Sequence, residues 1–358
     1  FRIMSKLRIN NITDRSGSCG PIIAGVSTVS STSHMVMPSG PTEMRKSPSL
    51  MDLSGNQQIS SLGERGRAVF ARGSNPNTYL NTMDFVTIAS QGNAIDFGDS
   101  SDNDHFPASC ASPTRGLIMG GGGNPAEINL IEYVTISSSG GANDFGDLRI
   151  AYYASSGLSN STRGIIGGGQ SAPSVYNTFT DFVTIATTGD SSFFGNLTAR
   201  ANMNQLSSAA SPTRGLFGGG VNSNLIEFVT ISTLGDAVDF GNLTIEKWMG
   251  DGGLSSSTRA LFAGGYGTPT LRASIDFVTI ATLGNAQDFG DLTDARQQVA
   301  STSSSTRGVV AGGETPSASD IIDLVTIATT GDALNFGDLT AARRGFTGFS
   351  DVHGGLGD

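Results

Sequence analysis

A tandem repeat limits what this chain can fold into more than any other feature. The element Asp84-Phe-Val-Thr-Ile-Ala returns as Glu132-Tyr-Val-Thr-Ile-Ser, Asp181-Phe-Val-Thr-Ile-Ala, Glu227-Phe-Val-Thr-Ile-Ser, Asp276-Phe-Val-Thr-Ile-Ala and Asp323-Leu-Val-Thr-Ile-Ala. Its central residue falls at Thr87, Thr135, Thr184, Thr230, Thr279 and Thr326, a period of about 48 residues, which is the range of propeller blades. Before it comes Thr-Arg-Gly and an apolar run ending in glycines, as in Thr213-Arg-Gly-Leu-Phe-Gly-Gly-Gly. After it come a Gly-Asp or Gly-Asn turn, a run such as Asp239-Phe-Gly-Asn-Leu, and a variable segment such as Ala341-Ala-Arg-Arg-Gly-Phe. Each unit thus holds four short segments rich in Val, Ile, Thr and Phe, separated by Gly, Asn, Asp and Ser, which is strand chemistry. In the first unit Phe85 and Ala89 point to one side and Val86 and Ile88 to the other, so the sheet needs a neighbour on both faces. A closed ring supplies those neighbours and hides the strand edges. The expectation is an all-β, six-bladed propeller over residues 56–358, with 1–55 as an extended N-terminal arm. The segment from Gly345 to Gly357 is expected to return beside the first blade and close the ring, with His353 in the place of the repeating arginine.

Composition narrows the function classes. A net charge of -10 argues against nucleic acid as a partner, because phosphate binding needs clustered Lys and Arg. No stretch approaches the roughly 20 apolar residues of a membrane span. The histidines His34, His105 and His353 sit in separate regions, and Cys19 and Cys110 fit no metal spacing, so no catalytic or metal constellation is expected and no cofactor is implied. A bridge between the two cysteines is not favoured. Asp99, Asp102 and Asp104 offer oxygen ligands to a cation, but they miss the EF-hand pattern and read better as a solvated turn.

The repeat resembles the kelch unit, in which a double glycine precedes two aromatics. Here the glycine pairs are Gly121-Gly122, Gly168-Gly169, Gly218-Gly219, Gly264-Gly265 and Gly312-Gly313, with Arg72-Gly73 departing in the first unit. The first aromatic is Phe85, Tyr133, Phe182, Phe228 or Phe277, with Leu324 departing; the second is Phe97, Phe145, Phe194, Phe240, Phe289 or Phe336. Thr-Arg-Gly, Val-Thr-Ile-Ala and Asp-Phe-Gly-Asp-Leu-Thr over residues 64–358, together with an arm ending Met35-Val-Met-Pro-Ser-Gly-Pro-Thr-Glu, resemble structural proteins of tailed bacteriophages, particularly those of marine bacteria. That resemblance implies a virion appendage, such as a tail fibre, a capsid fibre or a decoration protein. Its arm would bind other virion proteins, the alternative being a collar packed along one face of the propeller, and its partner beyond the particle would be a host-surface glycan or protein. The lack of a catalytic grouping and of a spanning apolar stretch in the sequence leads to the expectation of no enzyme and no membrane insertion.

Two sets of residues are candidates for specific roles. One arginine and one acid recur in fixed register in every unit: Arg67 with Asp84, Arg115 with Glu132, Arg163 with Asp181, Arg214 with Glu227, Arg259 with Asp276 and Arg307 with Asp323. Ring symmetry would let the arginines converge on an anion, but a matching acid in each unit favours bracing by ion pairs or backbone hydrogen bonds within the blade. The loops between second and third segments vary in length and content, and variable loops on a rigid scaffold are where recognition sits. Their aromatics Tyr79, Tyr176, Phe179 and Tyr266 either stack on a ligand or fold back on the blade. Trp248, the single tryptophan, reads as packing.

Overall fold

The computed structural model describes residues 66–357, except 77, 123–125, 173–174 and 199–202. The arm and Cys19 lie outside the described residues. Six antiparallel sheets, each built on a four-strand path, form the blades of a propeller. From the axis outwards, blade 2 runs Ala108–Ala111, Arg115–Gly122, Glu127–Thr135 and Asn143–Asp147. Blades 3 to 6 repeat that order, and their innermost strands are Tyr153–Ser159, Leu206–Ala210, Gly253–Ser255 and Val299–Ser303. Blade 1 is composite: Arg67–Ala71, Thr82–Thr87 and Ile95–Asp99 take their innermost strand, Thr347–Ser350, from the far end of the chain. Ala68 pairs with Ser350 and Ala71 with Thr347, so the expected return of the C-terminal segment is present.

Six apolar clusters hold the ring, one between each pair of neighbouring blades. The period-two alternation dictates this. Val86 and Ile88 enter the interface with blade 6, while Phe85 and Phe97 enter the interface with blade 2. Phe70, Phe217 and Phe262 are wholly buried, and full burial of such a side chain stabilises by about 1.5–3 kcal/mol. The two aromatics of the repeat meet edge to face, as in Phe85 and Phe97 at 6.0 Å and 79°.

A second closure runs through the backbone around the axis. Phe106 donates its N–H to Gly345 O, Ala154 to Phe106 O, Gln205 to Ala154 O, Met249 to Gln205 O, Gln298 to Met249 O, and Gly345 to Gln298 O. The sixth bond returns to the residue that accepted the first. Phe106, Ala154, Gln205, Gln298 and Gly345 all take positive φ to make this turn into their innermost strands.

At the opposite mouth of the axis, Asp351 accepts hydrogen bonds from the backbone N–H groups of Gly66 and Arg67. Ser112 Oγ does the same for Arg115 N–H, and Ser256 Oγ for Arg259 N–H. Arg67 therefore completes the turn of blade 1, and the expectation that His353 fills the arginine position is corrected. His353 turns inward instead. Its Nε2 lies 2.9 Å from Ala111 O, and its Nδ1 accepts the N–H of Gly355 at the start of a short 3-10 turn, Gly354–Leu356. Burial lowers the pKa of this imidazole. Inside the axis, Asp251 accepts from Thr347 Oγ1 at 2.6 Å and from Gly348 N–H, and burial pushes its carboxyl up to about 7.

Candidate functional site

The repeating arginines brace the molecule, but not as expected. Arg115 lies opposite Thr135, and Glu132 lies opposite Ile118. Residues three apart on a strand face opposite sides, so the arginine shares its face with Tyr133 and not with Glu132. Its guanidinium sits 4.5 Å from the Tyr133 ring centroid. Arg163, Arg214 and Arg259 lie in the same way over Phe182, Phe228 and Phe277. The expected ion pairs Arg115–Glu132, Arg163–Asp181, Arg214–Glu227, Arg259–Asp276 and Arg307–Asp323 are thus replaced by stacking on the ring beside the acid, except in blade 6, where Leu324 offers no ring. Each arginine also donates to the next blade: Arg67 to Ile136 O, Arg115 to Ala186 O, Arg163 to Ile231 O, Arg214 to Ala281 O, Arg259 to Ala328 O and Arg307 to Ala89 O.

The acids find their cations elsewhere, on the loop that crosses from one blade to the next. Asp181 pairs with Arg149 at 2.6 Å, Asp276 with Lys247 at 3.5 Å, Asp323 with Arg296 at 2.7 Å, and Asp84 with Arg343. Glu227 accepts the backbone N–H of Thr198. Blade 2 inverts the scheme. Its crossing loop carries Asp104 where Lys247, Arg296 and Arg343 stand in other loops, and the cation for Glu132 is Arg72, which also pairs with Asp104. Arg72 occupies the left-handed position, φ 62°, that Gly120, Gly168, Gly219, Gly264 and Gly312 occupy in the other blades. An arginine tolerates that conformation only under strong constraint, and two buried carboxylates provide it. This also corrects two glycine pairs by one residue, to Gly120-Gly121 and Gly219-Gly220. Asp104 is wholly buried, not part of a solvated turn; its burial outweighs Arg72 and pushes its carboxyl up to about 7.

The blades already differ at this buried register, where Tyr152 and Met203 stand in two further crossing loops, and one residue beyond it no two of them carry the same side chain. His105, Tyr153, Asn204, Trp248, Gln297 and Arg344 occupy one register around the axis, and all are half-buried. Five of them bridge through the backbone to the residue after the glycine pair of the following strand: His105 to Gly122, Tyr153 to Gln170, Trp248 to Tyr266, Gln297 to Glu314 and Arg344 to Ser74. This face therefore displays a rim of unlike side chains on a uniform frame. The rim members touch. Trp248 Nε1 donates to Gln297 Oε1 at 2.9 Å, Gln297 Nε2 to Glu314 Oε2 at 3.0 Å, and Glu314 pairs with Arg344. His105 stacks on Tyr79 at 4.8 Å and tilts against Tyr153. Burial is the main cause that lowers the His105 pKa, with Arg344 adding to it.

Two clefts open on this rim. The larger, about 440 Å³, is lined by Ser74, Asn75, Tyr79, His105, Gln298 and Arg344. The smaller, about 210 Å³, is lined by Asn222, Glu246, Trp248, Tyr266 and Arg272. Of the loop aromatics expected from sequence, Tyr79 and Tyr266 therefore line clefts, one in each. Phe179 lies in a strand, edge-on to Tyr152 at 5.5 Å and beneath Arg149, and Tyr176 packs on the cluster between blades 3 and 4; both serve the blades. Trp248, expected to pack, stacks on Tyr266 at 5.0 Å and faces the smaller cleft. The signal that would have found the rim was in the repeat: the residue after the buried position of each crossing loop differs in all six units. Among the described residues no group of three His, Cys, Asp or Glu could hold a metal ion, and no helix is long and apolar enough to cross a membrane. Cys110 is buried with a free thiol.

Fold and rim together define the class: a six-bladed propeller that carries diversity on one face. Compared with known proteins, the chain matches no family model and no curated protein.

Proposed function

We propose that this chain is a structural protein of a tailed-bacteriophage virion, an appendage of tail-fibre or capsid-fibre type whose propeller attaches to the host surface. The observation that carries the attachment role is the rim. Side chains that hold blades together recur from unit to unit, whereas the register facing outward around the axis carries His, Tyr, Asn, Trp, Gln and Arg. Unlike side chains gathered around one face of a braced frame support recognition. The virion setting rests on the resemblance of the repeat and arm, with residues 1–55 as the attachment to other virion proteins.

A second reading, a capsid or tail decoration protein with a mainly structural propeller, is favoured by the inter-blade bracing, which would suit a stabilising clamp. Particles lacking the chain separate the two. Under the attachment reading they adsorb to host cells at least about tenfold more slowly and keep their heat resistance. Unchanged adsorption with earlier heat inactivation would sink it in favour of decoration.

A further inference from the structure

We infer that the arc from Trp248 through Gln297, Glu314 and Arg344 to His105 is a binding site for an uncharged oligosaccharide, with one subsite in each of the two clefts. This inference rests on the attachment reading and names the ligand class it left open.

Each cleft pairs an aromatic stack with planar hydrogen-bonding groups. In the larger, Tyr79 and His105 stand beside Arg344 and Gln298; in the smaller, Trp248 and Tyr266 stand beside Arg272. In each stack one ring face is taken by its neighbour, and both rings line the cleft. An apolar ring beside fixed donors and acceptors matches a pyranose, which has an apolar C–H face and a hydroxyl rim.

Charge decides against acidic ligands. Arg344 is paired with Glu314, and Lys247 at the floor of the smaller cleft is paired with Asp276. Burial favours the neutral form of His105, and Arg272 shares its cleft with the exposed Glu246. A sulfate or carboxylate would have to break an existing pair to gain Arg344 or Lys247, and at Arg272, which donates to Gly267 O, it would share the cleft with the carboxylate of Glu246, in both cases against the field of a chain with net charge -10. The relay from Trp248 to Gln297 to Glu314 to Arg344 links the two clefts, so an oligosaccharide lying along it engages both through contacts already held in place.

Trp248 is the chain's single tryptophan, so its emission reports the smaller cleft directly. The full chain is titrated with neutral gluco-, manno- and galacto-oligosaccharides of two to six units, and with sialylated and sulfated counterparts. The expected result is a saturable emission change with at least one neutral series, and a loss of about tenfold in affinity on Tyr79→Ala although Tyr79 lines the other cleft. Circular dichroism checks that the variant keeps its fold. No saturable change with any neutral series overturns the inference, as does saturation confined to acidic sugars and lost on Arg344→Gln. Adsorption of the labelled chain to bacterial cells, before and after periodate oxidation of their glycans, separates the two failures. Adsorption that survives periodate and Tyr79→Ala sinks the carbohydrate site and leaves attachment standing. Absence of adsorption by cells that the intact particle infects sinks attachment itself.

Discussion

Arg72 shows how a single exchange propagates through a repeat. In the other blades a glycine holds the left-handed position and the crossing loop commonly supplies the cation; between blades 1 and 2 the cation sits in the glycine position and the loop supplies Asp104. Arg72→Gly should cost about 3–5 kcal/mol, because it strands Asp104 and Glu132 as buried carboxylates. Adding Asp104→Arg should recover most of that loss by restoring the arrangement of the other loops. Urea denaturation of the single and double variants measures both, and a double variant no better than the single would show that the loop cannot redirect its side chain.

Asp251 makes a pH-dependent contribution of opposite sign to an ordinary paired carboxylate. Its folded pKa is raised by burial to about 7, against about 3.9 in an unfolded chain. Between those values the folded state holds a proton that the unfolded chain has released, so this contribution is full below about pH 4 and is lost as pH rises towards 7. Asp104 carries the same sign. Asp251→Asn should flatten the fall in urea midpoint between pH 4 and 8. An equally steep fall in the variant would remove Asp251 from the account.

At the scale of strands, the ladder of arginine, first aromatic and second aromatic is complete in blades 1 to 5 and broken in blade 6 by Leu324. Leu324→Phe should place a ring between Arg307 and Phe336 and raise stability by about 0.5–1.5 kcal/mol, read as a higher thermal midpoint; a lower midpoint would mean the position is too tight for a ring. Much of this architecture was legible in the sequence. Residue identity recurring every blade, with apolar residues on both strand faces, leaves few folds besides a ring. The partner of each arginine is not legible in the sequence, because a shared register says which residues recur together, not which face each takes. That depends on pairing Arg115 with Thr135, and strand register is a property of two segments. The rim is hidden for a related reason: a repeat is defined by what is constant, while His105, Trp248 and Arg344 matter because they differ. Loop length pointed to Tyr176 and Phe179, but neighbouring Tyr152 and Arg149 draw Phe179 into the blade.

The whole propeller is closed by apolar interfaces, by arginines reaching the next blade and by the backbone circuit at the axis, all within residues 66–357. Deleting residues 4–55 should therefore leave a cooperatively folding protein, with one calorimetric transition near that of the full chain. If this truncated chain does not fold, the arm belongs to the propeller and is no mere tether. Removing Thr347–Ser350 should be far more damaging, because it takes the axial strand from blade 1 and opens the ring. The junction of Asp351 with Gly66 and Arg67 has a consequence for direction. Every innermost strand runs from the rim of unlike side chains to the mouth where Gly66 begins, so the chain joins the propeller at the pole opposite the rim. A pull through residue 66 is met at once by Asp351 and the axial strand behind it, so the ring would be loaded at its own seam.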